Sequence, residues 1–335
     1  MNQESPSNDD SNAPLLEVRR LITAFDTDAG LMRAVDEVSF SVEKGRTLGI
    51  VGESGCGKSV TAMSIVRLLP QPAGKVLGGE VMFKGRDLLK AGDREIHSVR
   101  GGEIGVIFQE PMTALNPVHR IGRQLSEALL LHKKMSKKEA WERSVELLRE
   151  VRIPAPEMRV GDYPHQLSGG MRQRVVIAMA LACRPDLVIA DEPTTALDVT
   201  VQAQILDLMG RLQEELGMAV VLITHDLGVI AETCDDVVVM YAGRVVERAP
   251  VEEIFANPQH AYTKGLLRSI PRPDIPSKSE LDTIPGMVAS LSEFVPGCRF
   301  CQRMEREGPT LRNRPPFIEI APGHWVEACE ICYED

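Results

Sequence analysis

Gly52-Glu53-Ser54-Gly55-Cys56-Gly57-Lys58-Ser59 fits the pattern G-x-x-x-x-G-K-[ST], and its flanks are the ones that pattern needs. Before it, Thr47-Leu48-Gly49-Ile50-Val51 is a short apolar run that predicts a buried strand. After it, Val60 to Leu69 carries apolar residues at helical spacing and stops before Pro70. Glycines let consecutive backbone N–H groups turn into one concavity, and the helix behind them adds positive partial charge, so a phosphate chain is favoured there. Lys58 is placed to reach the β- and γ-phosphates and Ser59 to hold Mg²⁺. Gly52, Glu53, Ser54, Gly55, Cys56, Gly57, Lys58 and Ser59 together form the expected cradle of a nucleoside triphosphate.

Working outward, Leu15–Val42 predicts two strands around a loop at Asp26–Gly30. Pro70–Gly79 is expected to be a connector, Val81–Asp87 a strand and turn, and Ile104–Phe108 a short buried strand ending at Gln109. From Ile121 to Val151 the pattern is helical and charged, and Ser136-Lys-Lys-Glu139 is a capping box opening a helix. Met171–Cys183 predicts a helix stopped by Pro185. The continuous apolar runs Leu187–Ala190 and Ala219–Thr224 predict strands covered on both faces. With the helix Val201–Leu216 between them they make a βαβ crossover and hence a parallel sheet. Val237–Glu247 predicts a hairpin. Prolines at 271, 273, 276, 285 and 296 mark a change of character, so a boundary is set near Asn257.

Asp191-Glu192 ends the strand Leu187–Ala190. A carboxylate at such a strand end, beside a phosphate loop, is where Mg²⁺ must be held, so Asp191 is the metal-side residue. Glu192, one position on, is suited to polarise an attacking water. Leu167-Ser168-Gly169-Gly170-Met171 precedes a helix and admits two readings. Ser168 is an N-cap, or Ser168, Gly169 and Gly170 form a second anion site that clamps a γ-phosphate from a second copy of the chain.

These segments in this order resemble the ATP-binding subunit of an ABC transporter, across roughly residues 15–256. In that resemblance Gly52–Ser59 is Walker A, Leu187–Glu192 is Walker B, and Leu167–Met171 is the signature, with Met171 standing where the family usually has Gln. The resemblance implies roles for Gln109 beside Mg²⁺, for Asp198 within Ala196-Leu197-Asp198, and for His225 at the γ-phosphate. It also implies that Phe25 stacks on adenine, although an aromatic beside a strand equally suits a core. The implied catalytic residues are Glu192, His225 and Gln109. The implied fold is α/β: a P-loop ABC-type nucleotide-binding domain over 15–256. It has a mixed-sheet core, an antiparallel N-terminal subdomain and a helical insert at about 115–180. Residues 1–14 are expected to be a disordered leader, and 257–335 a C-terminal extension.

Phe108-Gln-Glu-Pro-Met-Thr-Ala-Leu-Asn-Pro117 and His260-Ala-Tyr-Thr-Lys-Gly-Leu-Leu-Arg-Ser-Ile-Pro271 narrow the resemblance to the oligopeptide, dipeptide and nickel importer branch. That branch implies two transmembrane permease subunits, a second and non-identical ATPase, and an extracytoplasmic substrate-binding protein. It also implies a peripheral location on the cytoplasmic face of the membrane. Substrate stays open between peptides and nickel or another small solute. Two further readings compete: a soluble ABC ATPase, and an ATPase gated by a redox- or metal-sensing tail.

The chain has 38 Lys and Arg against 48 Asp and Glu, a net charge of −10, which excludes a phosphate-backbone binder with a basic face; no nucleic acid is expected. No apolar run approaches the roughly 20 residues that span a bilayer. Seven cysteines in a nucleotide-binding chain suggest a reducing compartment. Four of them, Cys298, Cys301, Cys329 and Cys332, form two C-x-x-C pairs separated by 27 residues. Such a set suits either tetrahedral Zn²⁺ or a [4Fe–4S] cluster. The branch resemblance implies the cluster, but Met304 and Leu311 stand where the branch usually has two of its cysteines, and Cys301 and Cys332 are additions. His324 is a candidate substitute ligand or a support for the ligands, and Cys56, Cys183 and Cys234 are expected to be structural.

Overall fold

A computed structural model describes residues 13–28, 30–109, 114–195, 197–270 and 282–333. The expected leader, bar its last two residues, lies outside them. So do Ala196, part of the Phe108–Pro117 segment, and the prolines at 271, 273 and 276.

Strands β1 (Leu16–Thr27) and β2 (Gly30–Val42) form the expected antiparallel pair, with Phe25 opposite Met32. After β3 (Thr47–Val51), helix α1 covers Lys58–Ile65, and β4 (Gly74–Phe83) and β5 (Arg86–Asp87) complete a four-stranded sheet in the order β2-β1-β4-β5. Two expectations are corrected here. Helix α1 stops at Ile65 rather than Leu69, because Arg67 turns to φ +54° and Leu68 N–H donates back to the Met63 carbonyl at 2.8 Å. Arg100, from another part of the chain, caps that end by donating to the Val66 and Arg67 carbonyls at 2.7 and 2.5 Å. Most of the supposed connector Pro70–Gly79 is strand: from Gly74 it pairs with β1, register Phe25 to Gly74 through Leu16 to Phe83. Its glycines argue locally against a strand, and pairing with the neighbour overrides them.

Helix α2 (Asp93–Val99) was not anticipated: with Ile96 and Val99 its only buried residues, seven positions are too few to show a period. Strand β6 (Ile104–Ile107) precedes the helical insert of α3 (Ile121–His132), α4 (Lys137–Glu150), α5 (Pro156–Arg159) and α6 (Gly169–Leu181). Ser136 caps α4 as its sequence predicts: its Oγ accepts from Glu139 N–H at 3.3 Å, and the Glu139 carboxylate accepts from Ser136 N–H at 2.7 Å. Ser136→Ala should lower stability by about 1 kcal/mol, seen as a shift in the urea unfolding midpoint. No shift would mean that water replaces the cap without loss.

Strands β7 (Leu187–Asp191) and β8 (Ala219–Ile223) flank α7 (Val199–Leu216) and pair in parallel, as the crossover requires. Helix α8 (Leu227–Thr233), the hairpin β9 (Asp236–Tyr241) and β10 (Arg244–Pro250), and α9 (Val251–Ala256) follow. Strands β3, β7 and β8 are buried at every position, which their unbroken apolar sequences predict.

Beyond Asn257 come α10 (Ala261–Arg268), α11 (Arg299–Arg303) and the hairpin β11 (Phe317–Ala321) and β12 (His324–Glu327). Strand β12 pairs with β10, Glu247 opposite Val326, so the extension continues the main sheet in the order β11-β12-β10-β9-β3-β8-β7-β6. A turn at Pro322-Gly323 between short runs was the available signal for that hairpin. The extension is also locked on by charge. Buried Asp36 receives Arg244 Nε and an Arg299 N–H at 2.9 Å each, with Arg314 at 3.7 Å. Arg244 in turn donates to the Gly297 and Pro296 carbonyls at 2.7 and 3.0 Å. No helix among the described residues is long and apolar enough to cross a membrane.

Candidate functional site

The phosphate loop sits between the end of β3 and α1, against the β9–β10 turn. Gly52 (φ +149°) has no room for a side chain: a Cβ would lie 2.1 Å from the Met240 carbonyl oxygen. Gly57 (φ +102°) meets the Ala34 carbonyl in the same way at 2.7 Å. Gly52 and Gly57 therefore answer to the packing of the loop on β9 and β2 as much as to a ligand. Lys58 is buried, and its Nζ donates to the Gly52 and Glu53 carbonyls at 2.7 and 3.0 Å, with the Cys56 sulfur 3.8 Å away. Those carbonyls hold the ammonium over the loop until a stronger anionic acceptor arrives.

Asp191, the last residue of β7, is buried, and its Oδ1 has no hydrogen-bond partner. Burial pushes its carboxyl above the usual carboxylate range, opposed by the Ser59 hydroxyl and assisted by the neighbouring Glu192 charge. A buried carboxylate oxygen left without a partner beside a serine hydroxyl fits a cation site, and Mg²⁺ matches that oxygen donor set.

Glu192 adopts φ +47°, a strained conformation for a residue with a side chain, and its N–H is held by the Ile223 carbonyl at 2.9 Å. Three side chains converge on its carboxylate. Gln109 Nε2 donates at 2.9 Å, Thr195 Oγ1 at 2.8 Å, and His225 Nδ1 lies 3.5 Å away. The carboxylate is 15% exposed and the histidine 65%, so the group opens to solvent on the imidazole side. Gln109, Glu192 and His225, drawn from the ends of β6, β7 and β8, are thus brought together as the sequence predicts. Thr195 was missed, and nothing in its local sequence distinguishes it from a turn residue.

Other sequence-predicted residues stand apart. Ser168 is the N-cap of α6, accepting from Met171 N–H at 3.4 Å, and both Ser168 and Gly169 are exposed. Gly170 packs towards Val201 on α7. Asp198 caps α7, accepting from Val201 N–H at 2.9 Å. Among the described residues none of these four hydrogen-bonds the phosphate loop or Glu192. Phe25 is half-buried near the end of β1 and packs over Gly74.

Sequence reasoning also missed two residues that bind Glu53 inside the loop. Tyr262 of α10 accepts the Glu53 N–H on its hydroxyl at 2.9 Å. Arg303 of α11 grips the Glu53 carboxylate with two N–H groups, at 2.5 and 3.2 Å. Both lie more than 200 positions from the loop, a separation no local pattern bridges.

Cys298, Cys301, Cys329 and Cys332 are brought together as predicted. All four are buried and their sulfurs lie within 4.8 Å of one another. Cys301 is 3.5 Å from Cys329 and 3.4 Å from Cys332, and Cys298 is 3.6 Å from Cys332. Four thiolates converging in a buried place fit a metal centre. His324 is not one of the group: its Nε2 pairs with Glu247 at 2.8 Å, and Glu247 also accepts the His260 N–H at 3.0 Å. Cys56, Cys183 and Cys234 are buried free thiols, and burial pushes Cys234 up to about 12.

Comparison with known proteins agrees with this geometry. The ABC transporter family model matches residues 35–195, and the model of the oligopeptide/dipeptide transporter C-terminal region matches 246–309. A probable peptide ABC transporter ATP-binding protein of Sinorhizobium fredii is 55% identical, over 94% of each chain. The oligopeptide transport ATP-binding protein OppD of Bacillus subtilis is 50% identical over 94% of this chain and 88% of its own. The dipeptide transport ATP-binding protein DppD of the same organism is 54% identical over 86% of each. Among solved structures, a dimeric ATP-binding cassette in a post-hydrolysis state with ADP and phosphate superposes with a TM-score of 0.63. It is 29% identical and covers 70% of this chain and 98% of its own.

Proposed function

The chain belongs to the ATP-binding proteins of peptide ABC transporters, and from that membership we propose that it energises import of oligopeptides or dipeptides. It is an ATPase. The observation that carries the catalytic reading is the convergence of Gln109, Thr195 and His225 on the Glu192 carboxylate, beside the loop that holds Lys58.

Lys58 exchanges its loop carbonyls for the β- and γ-phosphates of ATP, and the loop amides hold the remaining oxygens. Ser59, Asp191 and Gln109 would hold Mg²⁺, which would supply charge neutralisation at the phosphates. Glu192 orients a water and takes its proton as the water oxygen bonds to the γ-phosphorus and the bond to the ADP oxygen breaks. His225, on the open side of Glu192, hydrogen-bonds the γ-phosphate. Ser168 and Gly169 lie exposed at the start of α6 and Gly170 half-buried behind them, which suits contact with the nucleotide of a second ATPase subunit. Asp198 would line the same contact, and Phe25 would stack on adenine.

In this reading two transmembrane permeases, a non-identical second ATPase and an extracytoplasmic binding protein complete the importer, and the chain works at the cytoplasmic face of the membrane. Residues 257–335 are its extension and carry the metal centre. The sulfur spacing favours a single ion there over the [4Fe–4S] cluster. The test is reconstitution with the permeases and binding protein in vesicles, measuring ATP-dependent uptake of labelled oligopeptides and of nickel. Peptide uptake that is lost with Lys58→Ala is the expected result. Nickel uptake without peptide uptake would overturn the substrate, and uptake indifferent to Lys58→Ala would overturn the ATP site.

A further inference from the structure

We propose that the four cysteines hold one tetrahedral Zn²⁺-type ion, and that this ion fixes the phosphate loop through Glu53. The coupling half rests on the nucleotide reading above. The choice of ion rests on spacing. Four sulfurs at about 2.3 Å from one ion stand roughly 3.8 Å apart at the corners of a tetrahedron. Three of the six separations, 3.4, 3.5 and 3.6 Å, lie a little inside that figure, and all six stay within 4.8 Å. In a four-iron cube each cysteine binds a different corner iron, which holds the thiolates much farther apart.

Each C-x-x-C pair then leads to Glu53 by its own route. Cys298 and Cys301 bracket the start of α11, a helix of five residues that is too short to persist unaided. From this helix the buried Arg303 reaches the Glu53 carboxylate, and the same guanidinium donates to the Pro285, Ile284 and Gly286 carbonyls at 2.9, 3.0 and 3.2 Å. Arg299 of α11 donates to the Ala242 carbonyl in the β9–β10 turn, where Gly243 N–H holds the Cys56 carbonyl of the loop at 2.9 Å. From the other pair, the Cys332 carbonyl accepts Ala261 N–H at 2.7 Å, next to Tyr262, whose hydroxyl takes the Glu53 N–H. Tyr262, Tyr241 and Phe300 pack between the routes, with ring centroids 4.6 to 5.6 Å apart. The ion therefore anchors both the side chain and the backbone of Glu53. Without it, α11 and Arg303 lose their fixed position and the loop loses its preorganised form.

The full chain, purified without oxygen, is analysed for zinc, iron and acid-labile sulfide. A fluorescent ATP analogue is titrated before metal removal by chelator, after it, and after zinc is restored. The proposal expects about one zinc per chain without sulfide. It also expects affinity to fall about tenfold on stripping and to recover with zinc but not with added Mg²⁺. Arg303→Gln keeps its zinc and reproduces the loss, which separates the link from any general unfolding of stripped protein. About four iron and four sulfide, or no metal at all, overturns the ion. Unchanged affinity on stripping, or full affinity in zinc-loaded Arg303→Gln, overturns the link. Zinc-loaded wild-type protein that fails to bind the analogue at all would instead sink the nucleotide reading and leave the ion standing.

Discussion

Glu192→Gln is expected to bind ATP with near-normal affinity and to lose turnover by at least about a hundredfold, the scale on which a positioned general base contributes. The substitution keeps the size of the side chain, and the Gln109 and Thr195 hydrogen bonds at 2.9 and 2.8 Å can pass to its amide oxygen. What it removes is the acceptor for the water's proton and the charge facing His225 at 3.5 Å. Because binding survives and cleavage does not, ATP should accumulate on the enzyme and stabilise a closed pair of ATPase subunits. Single-turnover phosphate release and size-exclusion chromatography with ATP read the two consequences separately. Parent-rate phosphate release would remove Glu192 from the chemistry and make Asp191, the buried carboxylate beside Ser59, the next to test.

Asp36→Asn should be the most damaging change outside the site. Burial pushes the Asp36 carboxyl up, but Arg299, Arg244 and Arg314 outweigh it and hold the group below the usual carboxylate range. Burial, with the charge of Arg244, also pushes Arg299 down to about 10, so it stays charged at neutral pH. Removing the carboxylate that Arg244 and Arg299 share leaves two buried guanidinium groups poorly compensated, since Glu327 lies farther off, 3.7 Å from Arg244, a loss of about 3–5 kcal/mol. Since the folded pKa is depressed, Asp36 contributes stability above the ordinary aspartate range, and the contribution is lost as pH falls through the folded value. Wild type and variant should therefore differ fully at neutral pH and converge as pH drops below about 4. Urea unfolding across that pH range measures both. A difference under about 1 kcal/mol at neutral pH would place Asp36 among ordinary surface ion pairs.

The sequence by itself determined the parts that repeat at short range. Gly52–Ser59 between an apolar strand and a helix, Asp191-Glu192 after Leu187–Ala190, and the capping box at Ser136 each carry their meaning within about ten residues. Each appears where it was expected. The parallel sheet followed from unbroken apolar runs, because strands covered on both faces cannot alternate. Local pattern failed where a neighbour decides. Helix α1 ends at Ile65 because Arg67 turns left-handed just past it, where Arg100 takes the Val66 and Arg67 carbonyls, and Gly74–Gly79 is strand because β1 lies beside it. The two cysteine pairs were legible, but not the choice of ion, since that depends on how far apart the folded chain holds four sulfurs. Only the tertiary structure could bring Tyr262 and Arg303 onto Glu53, or Arg299 onto Asp36 across 263 positions. Such contacts depend on how β12 docks on β10 and how α11 packs beneath the loop, and these are set by burial and charge pairing between distant segments rather than by any periodicity within one of them.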